Sequence, residues 1–145
     1  MAMTHLLDTS VYSQPIKKVP NPEVTKRWQA LGDTSLVTSA ICEAELLYGI
    51  RNERRKNSST KIHERYATVL KGRYDVLPVD YLVAEAYAEL RDDLQSRGKT
   101  VAHADLLIAA TAKANNLIVA TLNMKHFQVI NGITVEDWSQ PLPIS

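Results

Sequence analysis

Short apolar runs alternate along this sequence with longer stretches of helical periodicity. That alternation predicts an α/β chain: a mostly parallel central sheet of about five strands flanked by helices. Two further observations agree. Cap and turn residues stand at the joints between segments, and the stretch from His103 to Ala114 is apolar nearly all round, as a helix buried against a sheet requires. At 145 residues the chain reads as one domain over 1–145, with a core over about 3–138 and an irregular tail over 139–145.

Met3 to Asp8 reads as a short buried strand, followed by a brief helix beginning at Val11-Tyr12 that Pro15 stops. Lys17 to Pro22 is a loop, in which Asn21 caps the next helix and Pro22 takes its first position. Val24, Trp28 and Leu31 line one face of that helix, and Gly32 ends it. Ser35 to Thr38 is a second strand, and Ser39 caps a helix running to about Tyr48. From Arg51 to Lys71 the pattern is basic and helical, with an interruption near Asn57-Ser58-Ser59-Thr60. Val76 to Val79 is a third strand, and Asp80 caps a helix whose stripe is Val83, Tyr87, Leu90 and Leu94, ending at Gly98. After the helix from His103 to Ala114, Leu117 to Thr121 is a fourth strand. Asn123 to Phe127 is a turn or short helix, and Ile133 to Val135 a fifth strand.

The single cysteine, Cys42, excludes an internal disulfide, suits a reducing compartment and has no basic activator near it. The N-terminus has no basic region followed by an apolar core, so no secretory signal is expected. No uncharged apolar run of about 18 residues could span a bilayer; the expectation is a cytoplasmic protein without a membrane. Net charge is +1, but Arg51 to Arg73 holds eight of the 17 Lys and Arg against Glu53 and Glu64. Such a block is either a solvated helical face or a phosphate-facing patch.

The acids carry the functional signal. Asp8 ends the first strand, Glu43 and Glu45 lie early in the helix after the second, and Asp105 lies in the first turn of the apolar helix before the fourth. A helix joining parallel strands runs antiparallel to them, so its N-terminus lies at the carboxyl edge of the sheet, where α/β folds bind ligands. Asp8, Asp105 and one of the two glutamates therefore share one rim, with Asn123 just past the fourth strand beside them. Each acid alone could be a helix cap. Asp105 is the most informative, because burying an ionised carboxylate without a partner is expensive. A helix N-terminus offsets only about 0.3–1 kcal/mol of that cost. A shared divalent cation would do more, and Mg²⁺ and Mn²⁺ prefer oxygen ligands. Glu43 and Glu45 are about 200° apart around the helix, and periodicity does not choose between them.

Other chemistries fit poorly. His5, His63, His103 and His126 lack paired spacing or a cysteine partner, which disfavours zinc, and His103 reads as a local hydrogen-bonding residue. The five glycines are scattered singly, against a phosphate-cradling loop, and no nucleophile elbow occurs. Ser10 stands where an aspartyl-phosphate phosphotransferase would carry its second acid.

Four segments taken together are recognisable: Leu6-Leu7-Asp8-Thr9-Ser10, Ser39-Ala40-Ile41-Cys42-Glu43-Ala44-Glu45-Leu46-Leu47-Tyr48-Gly49, Ala104-Asp105-Leu106-Leu107-Ile108-Ala109-Ala110, and Thr121-Leu122-Asn123-Met124-Lys125-His126-Phe127. In these the chain resembles, over nearly its whole length, PIN-domain ribonucleases of the VapC and FitB type, the toxins of type II toxin–antitoxin pairs. The resemblance implies a PIN-like fold and a metal-dependent endoribonuclease, with tRNA the favoured substrate. It assigns Asp8 and Asp105 as ligands of Mg²⁺ or Mn²⁺ and, through the family's Ala-Glu-Leu-x-x-Gly motif at Ala44-Glu45-Leu46 and Gly49, selects Glu45 for a metal-held water or the base. Asn123 would orient that water. The implied partners are RNA, a VapB-type antitoxin, a second copy of the chain, and operator DNA reached through the antitoxin. One departure matters: Asn123 and His126 stand where relatives carry a fourth acid, which puts a second metal in question. The alternative is a PIN-like RNA-binding or regulatory module that does not cleave.

Overall fold

The computed structural model describes residues 2–141; of the expected tail, residues 142–145 lie outside the described residues. Five strands, β1 (His5–Leu7), β2 (Leu36–Ser39), β3 (Val76–Leu77), β4 (Ile118–Thr121) and β5 (Thr134–Asp137), form one sheet. Its order is β3-β2-β1-β4-β5 and every pairing is parallel. The helices are α1 (Thr9–Tyr12), α2 (Pro22–Leu31), α3 (Ala40–Asn57), α4 (Lys61–Val69), α5 (Tyr81–Ser96), α6 (His103–Ala114) and α7 (Met124–Phe127).

The two-residue period of the strands divides the core between the faces of the sheet. Leu6, Val37 and Val119 point to one face and pack with Leu90, Leu94, Leu106 and Ile108 of α5 and α6. Their neighbours Leu7, Leu36 and Ala120 point to the other, against Val24, Trp28, Leu46 and Tyr66 from α2, α3 and α4. Layers on both faces explain why β1 and β2 are buried throughout, while β3 and β5, at the edges, are not.

The caps fall where local chemistry places them. Asn21 accepts from the backbone of Glu23 and Val24, Ser39 from Cys42, and Asp80 from Val83. Several elements differ in extent from expectation: β1 and β3 are shorter than Met3–Asp8 and Val76–Val79. The helix expected to end near Tyr48 continues to Asn57, because no breaker intervenes and Gly49 is tolerated inside it. It stops at Ser58, whose left-handed φ of 52° ends the helical path. Beyond Tyr12 the chain makes a short 3-10 turn over Gln14–Ile16, with Pro15 inside it.

Strand numbering reverses across β1: β2 lies on one side and β4 on the other. The crevice outside the carboxyl ends of β1 and β4 is therefore the topological switch point of the sheet, where α/β folds open a ligand site. Asp8 follows β1 directly, and Thr121 ends β4.

Candidate active site

Asp8 is held from three directions. Its backbone N–H donates to Ala120 O at 3.0 Å, continuing the β1–β4 ladder past the strand end. Oδ1 accepts from Ser10 Oγ at 2.6 Å and from the Val11 N–H at 3.0 Å, and Oδ2 from Thr121 Oγ1 at 2.5 Å. Asp8 thus does cap α1, as the ordinary reading of an acid before Thr-Ser requires. It is also only 4% exposed, and three of roughly four lone-pair directions of a carboxylate are used. Burial pushes its pKa above the ordinary value, against the lowering effect of those three hydrogen bonds, and the charge of Asp105 pushes it further.

Ser10 and Thr121 do more than cap. Ser10 Oγ also accepts from the Leu122 N–H at 3.0 Å, and Thr121 Oγ1 from the Asn123 N–H at 2.8 Å. The two hydroxyls clamp the turn after β4 onto the turn after β1, so the rim is cross-linked through the carboxylate.

The choice between the two glutamates is made by tertiary packing. Glu43 turns away from the rim, accepting from Tyr12 Oη at 2.7 Å and from the Tyr66 hydroxyl. Burial, reinforced by the Glu43 carboxylate, raises the Tyr66 phenol to about 12, keeping it a donor. Glu45 instead faces α1 and accepts from Thr9 Oγ1 at 2.5 Å.

Asp105 occupies the third helical position of α6, whose N-terminus has no capping side chain. Its side chain is 23% exposed, and Oδ2 lies 3.2 Å from Nδ1 of His126 on α7. Burial raises its pKa; Glu45 adds to the rise while His126 opposes it. Asp8, Asp105 and Glu45 are therefore linked electrostatically in one chain of like charges, from Asp8 through Asp105 to Glu45. Asn123 is exposed and its side chain makes no cap bond to α7. It lines a cavity of about 370 Å³ with His126 and Asp137.

Asp137 escaped the sequence reading, which ended the fifth strand at Val135. β5 extends to Asp137, and the register Thr121↔Asp137 carries that acid to the same rim. The available signal was the pair of acids, Glu136 and Asp137, that follows the apolar run ending at Val135.

The donor set suits a hard cation: carboxylates and hydroxyls, with Cys42 buried elsewhere in the core. Burial raises both Asp8 and Asp105, the Asp105 charge adding to the rise at Asp8 and the Glu45 charge to the rise at Asp105, and a nearby cation would relieve both. Among the described residues no three of His, Cys, Asp and Glu converge tightly enough to enclose an ion alone.

The structure is thus a parallel five-stranded α/β sheet with acids gathered at its switch point. The chain belongs to the PIN domain family, whose family model matches residues 5–132. It is 36% identical over 140 residues to the toxin FitB of Neisseria gonorrhoeae, an alignment covering 92% of this chain and 97% of that one. It is 31% identical over 137 residues to a tRNA(fMet)-specific endonuclease VapC of Shigella flexneri, with 92% and 97% covered. Among solved structures, VapBC2 from Rickettsia felis, bound to a DNA fragment from its promoter, superposes with a TM-score of 0.79 at 27% identity, covering 92% of this chain and 98% of that one.

Proposed function

We propose that this chain is a Mg²⁺- or Mn²⁺-dependent endoribonuclease that acts as a cytoplasmic toxin and is held inactive by a VapB-type antitoxin. The observation that carries the catalytic reading is the coupling of Asp8, Asp105 and Glu45 at the β1/β4 switch point, with burial holding two of them above the ordinary carboxylate range. Asp8 and Asp105 would hold the ion. When bound, the ion lowers the pKa of water and neutralises charge on the phosphoryl oxygens. Glu45, steadied by Thr9, would accept a proton from the attacking water or orient it, and Asn123 would help to orient it. Ser10 and Thr121 keep Asp8 in place.

The favoured substrate is a tRNA, on the strength of the similarity to the Shigella flexneri endonuclease. The antitoxin, and operator DNA reached through it, follow from the likeness to the VapBC2 complex. Leu47 and Tyr48 of α3, Val76 of β3, and Val79, Tyr81 and Leu82 around the start of α5 are large apolar side chains left exposed, which supports pairing with a second copy.

The test is cleavage of a tRNA pool with and without EDTA. The parent cuts on addition of Mg²⁺ or Mn²⁺, and Asp8→Asn and Asp105→Asn do not. If both variants cut at the parent's rate, the metal-site assignment is wrong. Asn123 and His126 in place of an acid favour one second reading, an RNA-binding module that does not cleave. It predicts metal-independent RNA binding with no product.

A further inference from the structure

We infer that a basic cleft on the far side of the first turn of α6 binds RNA phosphates next to the acidic rim; the inference rests on the ribonuclease reading above. The cleft, about 530 Å³, lies between the C-terminal half of α5, the connection after it, and the start of α6. Arg91, Lys99 and His103 line it together with Gly98 and Thr100, and no acid does.

Elsewhere on these helices the cations are neutralised locally: Arg97 by Asp93 at 2.8 Å and Lys113 by Glu89 at 2.9 Å. The two cations of the cleft are not. Among the described residues Lys99 makes no ion pair. Among the described residues the polar partner of Arg91 is Tyr87, its guanidinium 6.0 Å from the ring centre and Nη1 donating to Oη at 3.3 Å. Tyr87 Oη is in turn hydrogen-bonded to His103 Nδ1 at 2.7 Å, and the two rings are tilted by 32°. Unpaired cations beside partly exposed aromatic faces are what single-stranded nucleic acid uses, the charges for its backbone and the rings for its bases.

The position fits the same strand. His103 and Asp105 are two residues apart, so they point about 200° apart while lying only about 3 Å apart along the helix axis. One flank of this turn carries the acid facing His126, and the other carries the imidazole facing Tyr87. A strand whose scissile phosphate sits at the acids can lay a neighbouring nucleotide over the turn into the cleft. The acidic rim repels RNA, and cations in a cleft that shares this helical turn offset that repulsion.

The assay is fluorescence anisotropy with two single-stranded RNAs, about four and about twelve nucleotides long, at several salt concentrations. Asp8→Asn serves as the non-cleaving background, with and without Arg91→Ala/Lys99→Ala. The double variant binds the longer RNA about tenfold more weakly, and its salt slope falls by about 1.4, the loss of two single-strand phosphate contacts. The shorter RNA, filling the rim alone, changes much less. Arg91→Lys/Lys99→Arg, which keeps both charges, restores the slope. An unchanged affinity and slope for the longer RNA overturns the cleft while leaving the ribonuclease reading intact. So does an equal loss for both RNAs. A parent that neither binds nor cuts RNA overturns both.

Discussion

Asp8 and Asp105 serve one proposed ion, yet the chain holds them in opposite ways. Asp8 is built into the framework: strand β1 delivers it, α1 is capped by it, and Ser10, Val11 and Thr121 take three of its roughly four lone-pair directions. Asp105 stands at an uncapped helix start, with His126 as its one close side-chain partner and a quarter of its surface open. The first carboxylate fixes where the site is. The second is left free to respond to what enters it, because fewer protein groups compete for its oxygens.

The largest expected effect separates these roles. Asp8→Ala and Asp105→Ala each lower RNA cleavage by more than about 100-fold, since even indirect partners of a metal site cost 10–100-fold when lost. Only Asp8→Ala also loses stability, about 1–3 kcal/mol in urea unfolding, because it leaves two hydroxyls and an N–H without their acceptor. Equal stability losses in the two variants would erase the distinction between framework and open ligand.

A smaller effect is expected at His126, which stands beside the open acid. His126→Glu adds a carboxylate beside Asp105, and should tighten Mg²⁺ binding by about tenfold in calorimetric titration, about 1.4 kcal/mol. The same variant should melt earlier than the parent in EDTA, since it sets a second carboxylate against Asp105. Unchanged Mg²⁺ affinity would show that this position does not face the ion.

The smallest effect is on stability against pH. Burial raises Asp105 above its ordinary 3.8, Glu45 adding and His126 opposing. A carboxyl raised in the folded state stabilises the fold while protonated, and that contribution is lost as pH rises through the folded value. In EDTA, Asp105→Asn should therefore be more stable relative to the parent near neutral pH than in acid. The gap should close as pH falls toward 3.8. A gap that is constant with pH would place Asp105 in an unshifted, solvated setting.

Much of this architecture is written locally. The alternation of Leu6 with Leu7 and of Val119 with Ala120 assigns side chains to the two faces of the sheet. Asn21, Ser39 and Asp80 mark helix starts through bonds to their own next turns. Because strand-to-helix joints put helix N-termini at the carboxyl edge, the sequence by itself could also place Asp8, Asp105 and a glutamate on one rim.

What the sequence could not decide depends on partners remote in the chain. Glu43 and Glu45 have equal standing on a helical wheel, and the resemblance to a family had to choose between them. In the structure Tyr12 and Tyr66, from two other helices, draw Glu43 away and leave Glu45 to the rim. Asp137 reaches the site only because β5 pairs in register with β4. Arg91 and Lys99 gather beside His103 only because α5 packs on α6. Periodicity fixes the direction of a side chain relative to its own helix or strand. Which neighbour meets it there is set by how the layers dock, and that information is distributed over the whole chain.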